Sequence, residues 1–185
     1  MEMLSTTPLG EIVGTEREQI VIEAINEFSC KDKDVEFFLK NKAFEFEKRD
    51  KSRTYLVYDD EAFLDGDVSI MAYFTLSLKS LEFRDAISKN KIKDIDGFSK
   101  EVKGVAIALI GQLGKSENKT KNVSGKDLME LCMHKLYQVH TLIGGRYVLL
   151  ECREIDKIVD FYQNNNFEFL QVDKSDNYLQ MVRKI

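Results

Sequence analysis

The chain is poor in the residues that break, staple or metallate a fold. Its 185 residues include one proline, three cysteines and two histidines. Cys30, Cys132 and Cys152 are too few and too scattered for a disulfide framework, which points to a reducing, cytoplasmic setting. His134 and His140 lie six apart on a predicted helix, off the spacing that puts two ligands on one face, so no metal is expected. No apolar run reaches the length of a membrane span, and residues 1–16 lack the apolar centre of a signal peptide. Internal repeats and low-complexity tracts are lacking too. The formal net charge of −5 argues against a general nucleic-acid binder and favours cationic partners.

What is present is 43% hydrophobic and 32% charged residues, the balance of an ordinary folded protein. The length suits one domain with a substantial core. Residues 1–15, which hold Pro8, read as a loose lead-in. Residues 16–185 read as a single domain, with residues 82–103 as an insertion on the substrate side. Gln19 to Ile25 alternates weakly and predicts a first strand. Asp34 to Glu47 carries apolar residues at helical spacing, with Asp34 as the expected cap. Thr54 to Tyr58 and Val68 to Leu78 predict an antiparallel hairpin.

From Gly104 onward the pattern sharpens. Val105 to Leu113 is nearly continuous apolar sequence, as in a strand covered on both faces. Leu128, Leu131, Cys132, Leu136 and Val139 mark one buried face of a helix that Gly144 and Gly145 end. Tyr147 to Leu150 predicts a strand, Ile155 to Gln163 a helix, and Phe167 to Val172 and Tyr178 to Val182 two closing strands. The strand-helix-strand crossover implies a parallel pair within a mixed sheet. The fold class is therefore α/β, of the α+β kind, with a mostly antiparallel sheet flanked by helices.

Two constellations carry chemistry. The loop Ser116 to Lys126 sets four lysines, Lys115, Lys119, Lys121 and Lys126, against one carboxylate, Glu117. Ser124 can cap the following helix and Gly125 lets backbone approach a ligand, an arrangement suited to a diphosphate. The same composition also describes a solvated loop before an ordinary helix. Tyr162, just before the triple asparagine Asn164 to Asn166, is a phenol able to protonate a leaving group, or else a half-buried aromatic. Phe161 and Phe167 read as core. Cys132 reads as a small core residue, and Cys152 as a residue that can line the cleft. Glu151 ends an apolar strand and reads as a substrate anchor or the first solvated residue.

Together these residues resemble the GNAT superfamily of acyl-CoA N-acyltransferases, over most of the chain. Phe28-Ser29-Cys30, Ser52-Arg53-Thr54-Tyr55 and the strand Ile70 to Ser77 resemble the branch that includes toxin-type acetyltransferases. Asp160-Phe161-Tyr162 through Asn166-Phe167 is similar to the family's aromatic-tyrosine helix, with Asn166 where glycine is usual. The resemblance implies acetyl-CoA as acyl donor, held by Leu113, Gly114, Lys115, Lys121, Asn122, Val123, Ser124, Gly125 and Lys126. It implies Tyr162 as the catalytic acid toward the departing thiolate, and a splayed parallel pair at the cofactor cleft.

Departures from the family pattern are specific. Thr120, Val123 and Gly125 stand where the phosphate loop has Arg or Gln, Gly, and Gly or Ala. Ile155 stands where an asparagine is common. The acceptor is a primary amine of unknown identity: a small amine, a peptide or protein amine, or aminoacyl-tRNA. For tRNA, Lys89, Lys91, Lys93, Lys100 and Lys103 would supply a basic groove, diluted by Asp94, Asp96 and Glu101. Either a monomer or a homodimer fits. The competing reading is a non-catalytic interaction protein on the same scaffold.

Overall fold

The computed structural model describes residues 4–59, 68–117 and 123–185. Seven strands form one sheet in the order β1-β2-β3-β4-β5-β7-β6. They are β1 Leu4–Pro8, β2 Arg53–Asp59, β3 Ile70–Glu82, β4 Gly104–Lys115, β5 Tyr147–Cys152, β6 Glu168–Val172 and β7 Leu179–Lys184. Pairing is antiparallel for β1–β2, β2–β3, β5–β7 and β6–β7, and parallel for β4–β5. The mixed, mostly antiparallel sheet with helices expected from sequence is the architecture found.

The helices are α1 Glu18–Glu27, α2 Lys33–Asn41, α3 Ala43–Lys48, α4 Lys89–Asp96, α5 Gly125–Ile143 and α6 Asp156–Asn164. The segment expected as a first strand is α1. Its buried residues Val21, Ala24 and Ile25, followed by buried Phe28, recur at three, four and seven residues, which is the helical period. Asp32, not Asp34, caps α2, accepting from the N–H groups of Asp34 at 2.9 Å and Val35 at 3.4 Å. Residues 4–12 are not a loose lead-in: β1 pairs with β2, and Leu9 and Ile12 are buried after it.

The chain divides into two compact units. The first comprises Met1–Ser77 and Gln112–Cys132. Its core gathers Leu9, Ile12, Val21, Ile25 and Phe28 with Leu39, Leu56, Ile70 and Tyr73. Each fully buried aliphatic or aromatic side chain there contributes about 1.5–3 kcal/mol. Tyr73 satisfies its buried hydroxyl by donating to the Val35 carbonyl at 2.5 Å, and Phe28 meets its ring edge-on at 5.6 Å.

The second unit comprises Leu78–Gly111 and Met133–Ile185. Leu81, Ile95, Ile107, Tyr147, Leu149, Leu170 and Val182 form its core. The stretch that sequence left unassigned contains α4, capped by Ser88 and ended by Gly97 at a φ of 91°. Ile92 and Ile95 turn inward. Asp94 accepts from Lys184 Nζ at 2.6 Å and the Tyr147 hydroxyl at 2.5 Å, with Arg146 Nη2 at 3.5 Å. Those donors, Lys184 first, pull its carboxyl down to about 2. This segment is thus tied to its unit by charge as well as by packing.

β4 differs from expectation. Only Ile107, Ile110 and Gly114 are buried along it, while Ala106 and Gly111 are exposed. Its register with β5 runs only from Ala108↔Val148 to Ile110↔Leu150. With most of its positions half-buried or exposed, the strand is not covered on both faces along its length, whatever its apolar composition.

Candidate active site

In the first unit, the end of β4 is held by backbone. Beyond Lys115, the Ser116 N–H donates to the Met71 carbonyl and the Glu117 N–H to the Ser29 carbonyl, each at 2.8 Å. Leu113 is half-buried, Gly114 buried and Lys115 exposed. A Cβ on Gly114 would fall 2.6 Å from Val35 Cγ1 and 2.9 Å from the Tyr73 ring, so glycine there serves close packing.

The Phe28-Ser29-Cys30 turn leads into α2 beside this strand end. The Cys30 N–H donates to Glu36 Oε2 at 3.0 Å, and its thiol is buried. Burial pushes that thiol up, opposed by the backbone N–H groups of Asp32 and Lys115. Glu36 is drawn down to about 2, first by the Cys30 N–H and then by Lys33 and Lys40. Cys30 is an inert packing thiol on these grounds.

Lys119, Thr120, Lys121 and Asn122 lie outside the described residues, so the two assigned to cofactor binding, Lys121 and Asn122, have no structural account. Val123 turns its side chain into the core, at 4% exposure. Ser124 caps α5 as expected, its Oγ accepting from the Asp127 N–H at 3.1 Å. Sequence reading missed the reciprocal half. Asp127 Oδ2 accepts from the Ser124 hydroxyl at 2.6 Å and the Ser124 N–H at 3.3 Å. The signal was there as Ser-x-x-Asp before an apolar run.

This capping box changes the electrostatics of the helix end. A carboxylate already occupies the position the helix dipole favours. The N–H groups of Gly125 and Lys126 make no hydrogen bond to another described residue. The Lys126 ammonium is exposed and stands 3.8 Å from Glu130.

Tyr162 belongs to the second unit. It is half-buried on α6, with ring centroids 5.1 Å from Phe161 and 6.0 Å from Phe167. Its carbonyl accepts from the Asn165 and Phe167 N–H groups at 3.0 Å, which closes the helix. Asn166 takes a φ of 63°, the left-handed turn that glycine or asparagine tolerates. Arg183 Nη1 donates to the Asn165 carbonyl at 3.0 Å and braces that turn. Nothing in the local sequence pattern marked Arg183, because its partner lies 18 residues away.

At the other end of α6, Ile155 is the cap residue, with extended backbone, no side-chain capping bond and 46% exposure. Ile155→Asn is expected to stabilise the fold by about 0.5–1 kcal/mol through an N-cap bond. A urea midpoint that does not rise would show that this helix end is satisfied otherwise.

The remaining candidates resolve simply. Cys152 does not line a cleft: it is buried, with Sγ 3.8 Å from Met181 Sδ, and burial raises its thiol to about 11. Cys132 is fully buried, as expected. Glu151 is not a solvated residue. Its side chain is 16% exposed and accepts from Lys79 Nζ at 2.5 Å and Gln180 Nε2 at 2.7 Å. Among the lysines considered for a basic groove, Lys89 pairs with Glu101 at 2.8 Å and Lys91 with Glu168. No group of three metal-ligating side chains occurs among the described residues, and no described helix is long and apolar enough to cross a membrane.

No family model matches the chain, and no curated protein matches it in sequence. Solved structures do match in shape. A structure described as a bacterial toxin superposes with a TM-score of 0.72 at 13% identity, covering 100% of this chain and 92% of its own. AtaT in complex with acetyl-methionyl-tRNAfMet gives a TM-score of 0.70 at 18% identity, covering 96% of this chain and 94% of its own. A tyrosine-to-phenylalanine mutant of AtaT, bound to acetyl-CoA and the C-terminus of the antitoxin AtaR, gives 0.64 at 16% identity, covering 96% and 92%. At such identities the likeness is one of fold, and it agrees with the sheet order and parallel pair described above. The chain has the GNAT fold, and shares that fold with these toxin structures.

Proposed function

We propose that the chain is an N-acetyltransferase that moves an acetyl group from acetyl-CoA to a primary amine. The observation that carries this reading is the start of α5. Two N–H groups there, on Gly125 and Lys126, are unspent among the described residues, in a fold that AtaT uses with acetyl-CoA bound. Leu113, Gly114 and Lys115 at the end of β4 are assigned to the pantetheine arm. Val123, Ser124, Gly125 and Lys126, with Lys121 and Asn122, are assigned to the diphosphate.

In this mechanism the acceptor amine arrives neutral and attacks the thioester carbonyl. The new C–N bond forms as the C–S bond breaks, and the departing thiolate takes a proton from the Tyr162 hydroxyl. The amine's own proton passes to water, and the Tyr162 phenolate regains a proton from water before the next turnover. Positioning of the two reactants supplies much of the acceleration. The acceptor is a small amine, a peptide or protein amine, or aminoacyl-tRNA. The AtaT complex with acetyl-methionyl-tRNAfMet supports the last, while the ion pairs of Lys89 and Lys91 reduce the free positive charge that tRNA would use.

Asp127 favours a second reading, a non-catalytic interaction protein, because its carboxylate competes with a diphosphate at the helix end. Calorimetry with acetyl-CoA separates the two. The enzyme reading expects saturable binding that Lys126→Glu weakens several-fold. Heats that never saturate in the millimolar range would leave the scaffold reading standing.

A further inference from the structure

The second unit holds a cleft of about 170 Å³ lined by Lys79, Ser80, Glu82 and Arg84 from one segment and by residues 171–175 and Gln180 from another. Behind it lies a chain of side-chain amides with a fixed direction. The Arg84 N–H donates to Gln171 Oε1 at 2.9 Å, and Gln171 Nε2 donates to the Glu82 carbonyl and to Gln180 Oε1, each at 2.7 Å. Gln180 Nε2 in turn donates to Glu151 Oε1 and Asp173 Oδ2, each at 2.7 Å. Gln171 and Gln180 are 7% and 3% exposed, so these bonds are made away from water, where unmade ones would be costly.

Most acceptors of this inner layer are engaged. Asp173 Oδ1 accepts from the Ser175 N–H at 2.7 Å and the Ser175 hydroxyl at 2.6 Å, and Lys79 lies between Glu151 and Asp173. What remains unspent around the cleft is donors. The guanidinium of Arg84, a half-buried residue, and the Lys174 ammonium have no carboxylate within salt-bridge distance among the described residues. Gln171 holds the backbone on both sides of Phe83, which fixes where Arg84 starts. A cleft whose acceptors are mostly engaged, and two of whose cations have no carboxylate partner among the described residues, is complementary to an acceptor-rich, negatively charged group. The opposing charges are Glu82, exposed at the rim, and the Glu151 and Asp173 carboxylates, which share the single cation Lys79.

We propose that this cleft is an oxyanion site, which takes one phosphate or carboxylate group between Arg84 and Lys174. Lys79 is its floor and Gln171 its positioning residue. The group arrives either on an acceptor amine or as a free ion. The site does not depend on the acetyl-CoA assignment.

The test is a titration of inorganic phosphate into the isotope-labelled full chain at constant ionic strength, followed through the backbone amide signals of Arg84, Lys174 and Ser175. Saturable shifts in the millimolar range are expected. Arg84→Ala, which keeps the N–H bonded to Gln171, is expected to weaken binding roughly tenfold. Glu82→Gln is expected to strengthen it roughly two- to fivefold. A response linear in phosphate, or affinities unchanged in both variants, would overturn the site. O-phosphoethanolamine then identifies the source. If the group is carried by an acceptor, it displaces phosphate and is acetylated faster than ethanolamine; if the ion binds free, it binds no tighter than phosphate and has no such advantage. Because the first readout involves no acyl transfer, its failure would leave the acetyltransferase reading intact, and a failure to bind acetyl-CoA would leave the oxyanion site intact.

Discussion

Tyr162→Phe is expected to lower acetyl transfer by roughly a hundred- to ten-thousand-fold while leaving acetyl-CoA affinity within about twofold. The substitution removes one oxygen and keeps the ring, so the packing against Phe161 and Phe167 survives. The helix end that positions it is also untouched, since the Asn165, Phe167 and Arg183 bonds are to backbone carbonyls. A change in turnover at unchanged acetyl-CoA affinity therefore reports the loss of the hydroxyl. The measurement is transfer of labelled acetyl into a cell extract, paired with calorimetry on the same variant. Equal turnover in the variant and the parent would remove Tyr162 from the chemistry.

Glu47→Ala is expected to cost about 3 kcal/mol of stability. Glu47 is 5% exposed, and its Oε2 accepts from the Thr54 N–H at 2.8 Å. Its Oε1 accepts from Arg53 Nη1 at 3.1 Å. Alanine would strand the Thr54 N–H in a fully buried residue, and that orphan accounts for most of the cost. The ion pair adds less, because the Arg53 side chain is 48% exposed and water screens it. Glu47→Gln, which retains an acceptor for Thr54, should lose less than half as much. Urea denaturation of both variants checks the ordering; equal losses would mean that charge, not the stranded N–H, dominates.

Glu47 also shows where sequence reading stops. As one carboxylate among 32 acidic residues it carried no local mark, since its partners come from the next strand. Elements whose period is strong were legible: the β2–β3 hairpin, α5 with Leu128, Cys132 and Leu136 inward, and the α6–β6–β7 ending. Residues 18–27 misled because Ile20, Val21 and Ile22 favour strands locally, whereas the buried set Val21, Ala24, Ile25 follows a helix; packing overrode propensity. β4 misled in the other direction, because apolar composition reports hydrophobicity and not how much of each face is covered. At the candidate site, Ser124, Gly125, Asn166 and Tyr162 were visible as turn chemistry or aromatic pattern. Asp127 was legible as Ser-x-x-Asp but went unread; Arg183, and elsewhere the Lys79–Glu151 pair, were not legible, the last because 72 residues separate its members.

The strand Leu4–Pro8 closes one margin of the sheet, pairing with β2 from Leu4↔Asp59 to Pro8↔Tyr55. Shortening the chain to start near residue 13 would uncover a row of unpaired backbone groups on β2 and remove Leu9 from the interior. Such a trimmed protein would invite intermolecular strand addition and fall out of solution, although the missing piece looks dispensable by composition.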